Sequence, residues 1–255
     1  MGKQVAIAVI GKGKLGTTLA LAIAASGKYS LHSHIAGRAR SFKKLATNDG
    51  PDVLFIVTKD SMVASVAKTA VKECGKNLSL IAQCAGSISP SILPEVKNVN
   101  RLTLHPIQTF TSTAPSQLND ISWMASTSSP KAKAFASSFV KELGGKRVIE
   151  VKEKDLALYH LITVFASNFP VLLGGAIEKL SKRIGKNPSD IKKAVTPLME
   201  QAVRNVLGAD AKNVLTGPFA RKDHATILKH RIALKKQPLA LRKIYEGFYM
   251  LSKEL

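Results

Sequence analysis

The segment that most constrains the fold lies near the start of the chain, where a strand-like run leads into a glycine-rich turn and an apolar helix. Val5–Ile10 is a continuous apolar run, typical of a parallel strand buried on both faces. Residues 11–16 then place glycine in a G-x-G-x-x-G pattern, and residues 17–25 have helical character. This spacing allows a tight turn, a close approach of backbone to phosphate and close helix packing. The predicted phosphate-binding residues are Gly11, Lys12, Gly13, Lys14, Leu15 and Gly16.

Further apolar runs alternate with helical segments along the first part of the chain. The runs are residues 31–36, 53–57, 78–82, 101–104, 121–125 and 148–151. Beyond residue 151 only helical patterns follow, at 152–184, 189–207 and 239–255, and Gly174-Gly175 and Pro197 predict kinks or close helix contacts there. We therefore predict an α/β protein: a Rossmann-type, doubly wound parallel sheet over residues 1–150, followed by an all-α domain over residues 151–255.

The turn after the second predicted strand indicates which dinucleotide is bound. An NAD site places Asp or Glu there to accept a hydrogen bond from the ribose 2′-hydroxyl, and this chain has none. The turn instead carries Arg38, Arg40 and Ser41, with Lys43 and Lys44 close behind. Because an arginine can clamp a 2′-phosphate and stack on adenine, the sequence favours NADP. The alternative is an ordinary basic surface turn.

Two later strands end in residues that we expect to contact the cofactor, since ligands of open α/β sheets bind at the carboxyl ends of strands. Thr58 and Asp60 follow the third strand, and Cys84, Ala85 and Gly86 follow the fourth. Cys84 could act as a nucleophile. With no base beside it in the sequence, we favour a small residue lining the nicotinamide pocket.

The charge of the chain is the other notable feature. Its 255 residues include 38 Lys and Arg against 17 Asp and Glu, a formal net charge of +21. Residues 1–150 hold 19 basic and 8 acidic residues (+11), and residues 151–255 hold 19 and 9 (+10). An even excess without a basic arm, and only 5% aromatic residues, make nucleic acid an unlikely partner.

Cysteine usage and hydropathy indicate the compartment. Cys74 and Cys84 are the two cysteines, too few for a disulfide framework or a structural zinc site, so we predict a cytoplasmic protein and no metal. The first apolar run is too short for a secretory signal. We also expect no membrane span, on the expectation that no stretch approaches about 18 uncharged apolar residues.

Several segments together resemble one family. These are the glycine turn, residues 83–87 (QCAGS), 104–110 (LHPIQTF), 160–168 (HLITVFASN) and 215–223 (LTGPFARKD). The chain resembles Rossmann-like proteins with a helical C-terminal domain of unknown function (domain of unknown function 2520 type). These are related to pyrroline-5-carboxylate reductase, prephenate dehydrogenase and β-hydroxyacid dehydrogenases. The resemblance implies NADP binding, a C-terminal domain like that of 6-phosphogluconate dehydrogenase that commonly builds a dimer, and an active site between the domains.

Two segments supply candidate proton donors or substrate ligands. His105 follows the fifth strand at the rim where the nicotinamide would lie, and a similar His-Pro pair faces the substrate in prephenate dehydrogenase-like proteins; otherwise it simply caps a strand. His160 and Ser167 are seven residues apart on one helical stripe, beside Asn168. These three contact substrate or cofactor, or else form hydrogen bonds between helices.

A third candidate segment is the turn that begins at Thr216, which resembles a substrate-lining turn of pyrroline-5-carboxylate reductases. Arg221 could hold a substrate carboxylate, and Asp223 could orient Arg221 or His224; a structural salt bridge is the alternative. Similar proteins have Ala-Arg-Gly-Asp where this chain has Lys222 in place of the glycine, which questions the local turn.

The leading hypothesis is an NADP-dependent oxidoreductase that transfers a hydride between NADP(H) and a small, possibly anionic carbonyl, hydroxy-acid or imine substrate. His105 or His160 would donate the proton. We expect a homodimer formed through the helical domain. The alternatives are a non-catalytic NADP-binding regulator and, less favoured, a basic nucleic-acid-binding protein.

Overall fold

A single sheet organises the first part of the chain in this computed structural model, which describes residues 4–255 apart from the side chains of residues 39, 48 and 49. Its strands are β1 (Val5–Ile10), β2 (Tyr29–Ile35), β3 (Val53–Ile56), β4 (Leu80–Gln83), β5 (Asn100–Pro106), β6 (Ser122–Ser126) and β7 (Arg147–Glu150). They lie in the order β2-β1-β3-β4-β5-β6-β7. The chain leaves β1 toward β2 and then crosses to β3, so the strand order reverses beside β1, where open α/β sheets bind ligands.

The predicted parallel sheet is confirmed for every neighbouring pair of strands except β5 and β6. β6 pairs antiparallel with β5, while each other neighbouring pair is parallel. The connection from β5 to β6 contains one short 3-10 turn, Pro115–Leu118, and no α-helix. A parallel neighbour requires a connection that carries the chain from the carboxyl end of one strand back to the amino end of the next, usually through a helix. The connection from β5 to β6 has no such helix, so β6 runs antiparallel to β5.

Both faces of the sheet are buried under helices. The described helices before residue 150 are α1 (Lys14–Ala24), α2 (Val63–Glu73) and α3 (Pro130–Glu142). Alternate residues of β1 enter two separate cores, Ile7 and Val9 with helices α1 and α3, and Ala8 and Ile10 with helix α2. The unbroken apolar run of β1 follows from this double burial, because each fully buried Ile or Val contributes about 1.5–3 kcal/mol.

Helix α3 lies outside the predicted helical segments, although its start carries a clear signal. Pro130 occupies the first turn, and the Ser129 side chain accepts a hydrogen bond from the Ala132 backbone N–H at 3.2 Å. This is the usual N-cap arrangement.

The remaining helices are α4 (Leu156–Arg183), α5 (Pro188–Gly208), α6 (Ala211–Val214), α7 (Gly217–Ala220), α8 (His224–Leu234) and α9 (Leu239–Leu251). The first compact unit ends at Ser167 and the second begins at Asn168, so the division lies inside α4. The domain limits of 1–150 and 151–255 stay a prediction. Pro170 and Pro197 lie within α4 and α5, which continue through them.

The expectation about apolar stretches was wrong for α4. With the short turn before it, Glu153–Arg183 is long and apolar enough to cross a membrane by length and composition. One such helix is weak evidence for a membrane span, because an apolar helix that a partner covers has the same composition.

Candidate active site

The three glycines of the turn after β1 differ in what surrounds them. A Cβ on Gly11, which has φ +136°, would overlap the Val57 carbonyl, and a Cβ on Gly16 would overlap the Gly11 carbonyl. Packing within the protein therefore requires both glycines. Gly13 has ordinary backbone angles (φ −73°, ψ 177°), and no atom lies within 4 Å of the position its Cβ would take. Nothing in the described protein demands a glycine there, as expected if a ligand approaches this backbone.

The first turn of α1 is suited to an anion. Its N-cap is Gly13, which supplies no side-chain hydrogen bond, and the first turn contains no acidic residue. The helix therefore directs backbone N–H groups and the positive end of its dipole toward the glycine turn. A phosphate group fits such a position.

His34, at the end of β2, holds the glycine turn in place. Its Nε2 donates to the Gly11 carbonyl at 2.9 Å, and the Gly11 N–H donates to the Ile35 carbonyl at 2.8 Å. Because a carbonyl can only accept, His34 carries a proton on Nε2. His34 is not among the predicted site residues, since only the pairing of β1 with β2 brings it to Gly11.

A cleft of about 590 Å³ opens at the carboxyl edge of β1, β3 and β4. It is lined by the whole glycine turn, by Arg38 and by residues after the third and fourth strands: Thr58, Asp60, Cys84 and Ala85. These were predicted cofactor ligands, and the structure brings them together. Arg40 and Ser41 are predicted ligands that do not line the cleft. Arg40 is exposed, while the Ser41 N–H donates to the Arg38 carbonyl at 2.9 Å.

Cys84 has the properties of a lining residue rather than a nucleophile. It is buried, and burial raises the pKa of its thiol to about 12. The sulfur therefore stays protonated at neutral pH and is a poor nucleophile.

The backbone after β4 is fixed by Gln83, a fully buried polar residue that the sequence analysis did not single out. Its Nε2 donates to Thr103 Oγ1 at 2.7 Å and to the Ile88 carbonyl at 2.8 Å, while its Oε1 accepts from the Ala85 N–H at 2.5 Å. A glutamine ending an apolar strand was the available signal, because a buried amide needs several partners.

Beyond the end of the cleft, two predicted site residues meet a third residue that was not predicted. His105 Nδ1 and Tyr159 Oη are 2.8 Å apart, and the His105 and His160 rings have centroids 6.2 Å apart. A Cβ on Gly86 would come within 3.1 Å of both imidazoles, so this glycine allows the two rings to approach the loop. Tyr159 was missed because only the packing of α4 brings it to β5.

Burial controls the ionisation of this group. Desolvation, with a smaller contribution from His160, lowers the pKa of His105 to about 4. Desolvation also raises the pKa of Tyr159. At neutral pH both partners of the hydrogen bond are therefore uncharged.

Ser167 and Asn168, the other predicted residues on α4, lie two turns after His160. The Ser167 hydroxyl donates to the Thr163 carbonyl at 2.7 Å, and the Thr163 hydroxyl donates to the His160 carbonyl at 2.7 Å. Both hydroxyl protons are thus used within the helix. Asn168 is the first residue of the second compact unit, and roles for Ser167 and Asn168 toward a ligand stay predictions.

In the second unit, the turn around Thr216 and Arg221 has its own structure. Thr216 is the N-cap of α7, Arg221 is its C-cap, and Asp223 is the N-cap of α8. The Asp223 carboxylate accepts from the Thr226 N–H at 3.0 Å and from its hydroxyl at 2.8 Å, which lower the pKa of Asp223. Asp223 therefore caps α8, and its predicted role in orienting Arg221 or His224 stays a prediction.

Residues 4–255 contain no group of three or more His, Cys, Asp and Glu side chains that could hold a metal ion.

The sheet, the glycine turn at its switch point and the helices that follow define a Rossmann-fold protein with a helical C-terminal region. The family model for a domain of unknown function (DUF2520) matches residues 122–250, which is 129 of 255 residues. The chain belongs to this family. No curated protein matches its sequence.

Solved structures share the fold at low sequence identity. A candidate NADP oxidoreductase of Bacteroides fragilis is 22% identical, with a TM-score of 0.79 over 99% of each chain. The imine reductase of Myxococcus stipitatus, in complex with NADP+, is 19% identical, with a TM-score of 0.61 over 98% of this chain and 93% of its own. The pyrroline carboxylate reductase of Plasmodium falciparum, with NADP bound, is 15% identical, with a TM-score of 0.60 over 98% and 97%.

Proposed function

We propose that the protein is an NADP-dependent oxidoreductase that transfers a hydride between NADP(H) and a small carbonyl, hydroxy-acid or imine substrate. The observation that carries the proposal is the cleft itself. Its glycine turn has open space at Gly13 before a helix with no side-chain cap, and Arg38, Cys84 and Ala85 also line the cleft. The next residue, Gly86, leaves space that the His105 imidazole approaches. The folds shared with NADP-bound reductases support it.

The residues present fit the parts of a dinucleotide. Backbone N–H groups of the glycine turn and Lys12 would hold the pyrophosphate, and Arg38 would pair with the 2′-phosphate. Cys84 and Ala85 would lie against the nicotinamide, which supplies or accepts the hydride when it is bound. His105, whose ring lies close to the Gly86 backbone beyond this end, would hold a proton at the reacting atom of the substrate.

Thermal unfolding with NADPH and with NADH tests cofactor binding and choice. We expect NADPH to stabilise the protein by about 2.7 kcal/mol at 100 times its Kd, and NADH to need a much higher concentration. Arg38→Ala should remove most of this preference. Arg147→Ala, which removes an exposed arginine outside the cleft, is the matched control and should keep it.

Turnover is tested by following NADPH absorbance with carbonyl and imine acids. Tight NADPH binding without oxidation by either class would contradict the enzyme assignment and favour a non-catalytic, redox-reporting role. Equal stabilisation by NADPH and NADH would contradict the assignment of Arg38.

We also infer that the protein works in the reducing cytoplasm. Cys84 is buried and Cys74 is partly buried, and both are free thiols. Such cysteines persist where thiols stay reduced.

A further inference from the structure

The hydrogen bond between His105 and Tyr159 joins two elements of the first compact unit. His105 is on β5 and Tyr159 is in the first turn of α4, and the Nδ1 to Oη distance of 2.8 Å is that of a well-formed hydrogen bond. A Cβ on Gly86, which follows the cleft-lining Ala85, would come within 3.1 Å of the same imidazole. The pair therefore lies at the end of the cleft where the nicotinamide would bind.

The direction of this hydrogen bond follows from the chemistry of its partners. A phenol O–H is a stronger donor than a neutral imidazole N–H, and an imidazole nitrogen is a stronger acceptor than a phenol oxygen. Tyr159 therefore donates to Nδ1 of His105. A neutral imidazole carries one N–H, so His105 keeps its proton on Nε2, the nitrogen directed away from Tyr159.

Few charges surround His105. β6 places Met124 opposite it in the sheet, the loop after β4 brings Gly86, and α4 brings Tyr159 and His160. None of these described neighbours of His105 carries a carboxylate. The surroundings therefore stabilise neither an imidazolium nor a cationic substrate.

We propose that Tyr159 and His105 form a neutral proton relay that serves a carbonyl substrate, an aldehyde or ketone, rather than an imine; this inference rests on the proposed function. The carbonyl carbon accepts the hydride with its electron pair, and the C–O π pair moves to the oxygen. That oxygen takes the Nε2 proton of His105 while Nδ1 takes the Tyr159 proton. The product is an alcohol and His105 is left as its other neutral tautomer. Tyr159 takes a proton from water in the same step, because burial disfavours a tyrosinate at this position.

The relay favours carbonyl substrates because a carbonyl and an iminium ion need different groups beside the reacting atoms. A carbonyl develops negative charge on oxygen and needs a donor at that atom. An iminium ion is already protonated and is reduced to a neutral amine, so it needs a nearby anion more than a donor. The described site offers donors and no anion at this position.

The tautomer of His105 tests the relay without any substrate. Two-bond ¹H–¹⁵N spectra of the full chain labelled with ¹⁵N-histidine, assigned with His105→Asn, should show the Nε2–H form from about pH 5 to 9. Tyr159→Phe should give a mixture of tautomers. The control is Tyr245→Phe, which removes the hydroxyl 3.0 Å from His230 Nδ1 in the second unit and should leave the His105 signals unchanged. An Nδ1–H form in the wild type, or no change in Tyr159→Phe, overturns the relay.

Kinetics test the substrate class. We expect NADPH oxidation with glyoxylate, pyruvate or benzaldehyde and none with 1-pyrroline or 3,4-dihydroisoquinoline, with kcat constant from pH 5.5 to 9. Tyr159→Phe should lower kcat about 100-fold, and Tyr245→Phe should not. Imine turnover alone overturns the substrate class, and a kcat that falls above pH 6.5 overturns the neutral relay. If the protein does not bind NADPH, the proposed function is wrong. The relay is then still tested by the His105 tautomer, which is measured without substrate.

Discussion

At the scale of single residues, Lys222 explains how this chain forms a turn without the glycine found in similar proteins. Lys222 has φ +53°, the left-handed conformation. Its N–H donates to the Phe219 carbonyl at 3.2 Å, and the Asp223 N–H donates to the Pro218 carbonyl at 2.9 Å. These two bonds form a Schellman motif that ends α7, with Lys222 at the position where glycine is favoured. The turn is therefore retained, at the cost of strain in a residue with a Cβ.

The strain at this residue predicts a stabilising substitution. Lys222→Gly should raise the free energy of unfolding by about 0.5–1 kcal/mol, because relief of the left-handed strain exceeds the extra entropy of glycine in the unfolded chain. Lys229→Gly, in the interior of α8, should lower the free energy of unfolding by a similar amount. Urea titrations of both variants provide the measurement. A destabilised Lys222→Gly would show that the lysine side chain makes a compensating contribution.

At the scale of elements, β1, the glycine turn and α1 contain glycines with two different roles, because two are required for packing and one is expected to face the ligand. Gly11→Ala and Gly16→Ala each place a Cβ against backbone, so each should destabilise the protein by about 3 kcal/mol or more. Gly13→Ala should change stability by less than about 0.5 kcal/mol, yet weaken NADPH binding at least about 10-fold by obstructing the pyrophosphate. Denaturant unfolding and NADPH titration measure the two effects. Unchanged affinity in Gly13→Ala would place the phosphates elsewhere.

This same unit was the most predictable part of the chain, for a physical reason. The apolar run of β1 and the glycine spacing are local patterns that directly reflect burial and close packing. Other features depend on distant contacts: Tyr159 reaches His105 across 54 residues and His34 reaches Gly11 across 23. The reversal of β6 likewise depends on the path of a loop, which hydropathy does not encode. Local patterns therefore predicted the cleft, whereas tertiary packing brings Tyr159 to His105 beside it.

At the scale of the whole molecule, the second compact unit exposes much apolar surface. Among its described residues only Ser181 and Ile227 are buried. Its exposed large apolar side chains are Val171, Leu172, Leu180, Ile184, Leu198, Met199, Val203, Val206, Leu207, Leu228, Ile232, Leu239, Ile244, Phe248, Met250, Leu251 and Leu255. Exposed apolar surface on this scale marks an interface. We propose that a second copy of the chain covers it.

The α5 helix offers the sharpest test of this homodimer. Met199, Val203, Val206 and Leu207 follow the i, i+4, i+7, i+8 spacing of one helix face, and Val203 and Val206 are 52% and 49% exposed. Sedimentation should give twice 27.4 kDa, or 54.8 kDa. Val203→Glu with Val206→Glu should shift this mass toward the monomer, because a buried unpaired carboxylate is costly. Gln201→Glu adds one charge on the opposite face of α5 and should leave the dimer intact. A folded wild-type monomer at micromolar concentration would contradict the homodimer, and recovery of the protein with membranes would assign the apolar surface to lipid instead.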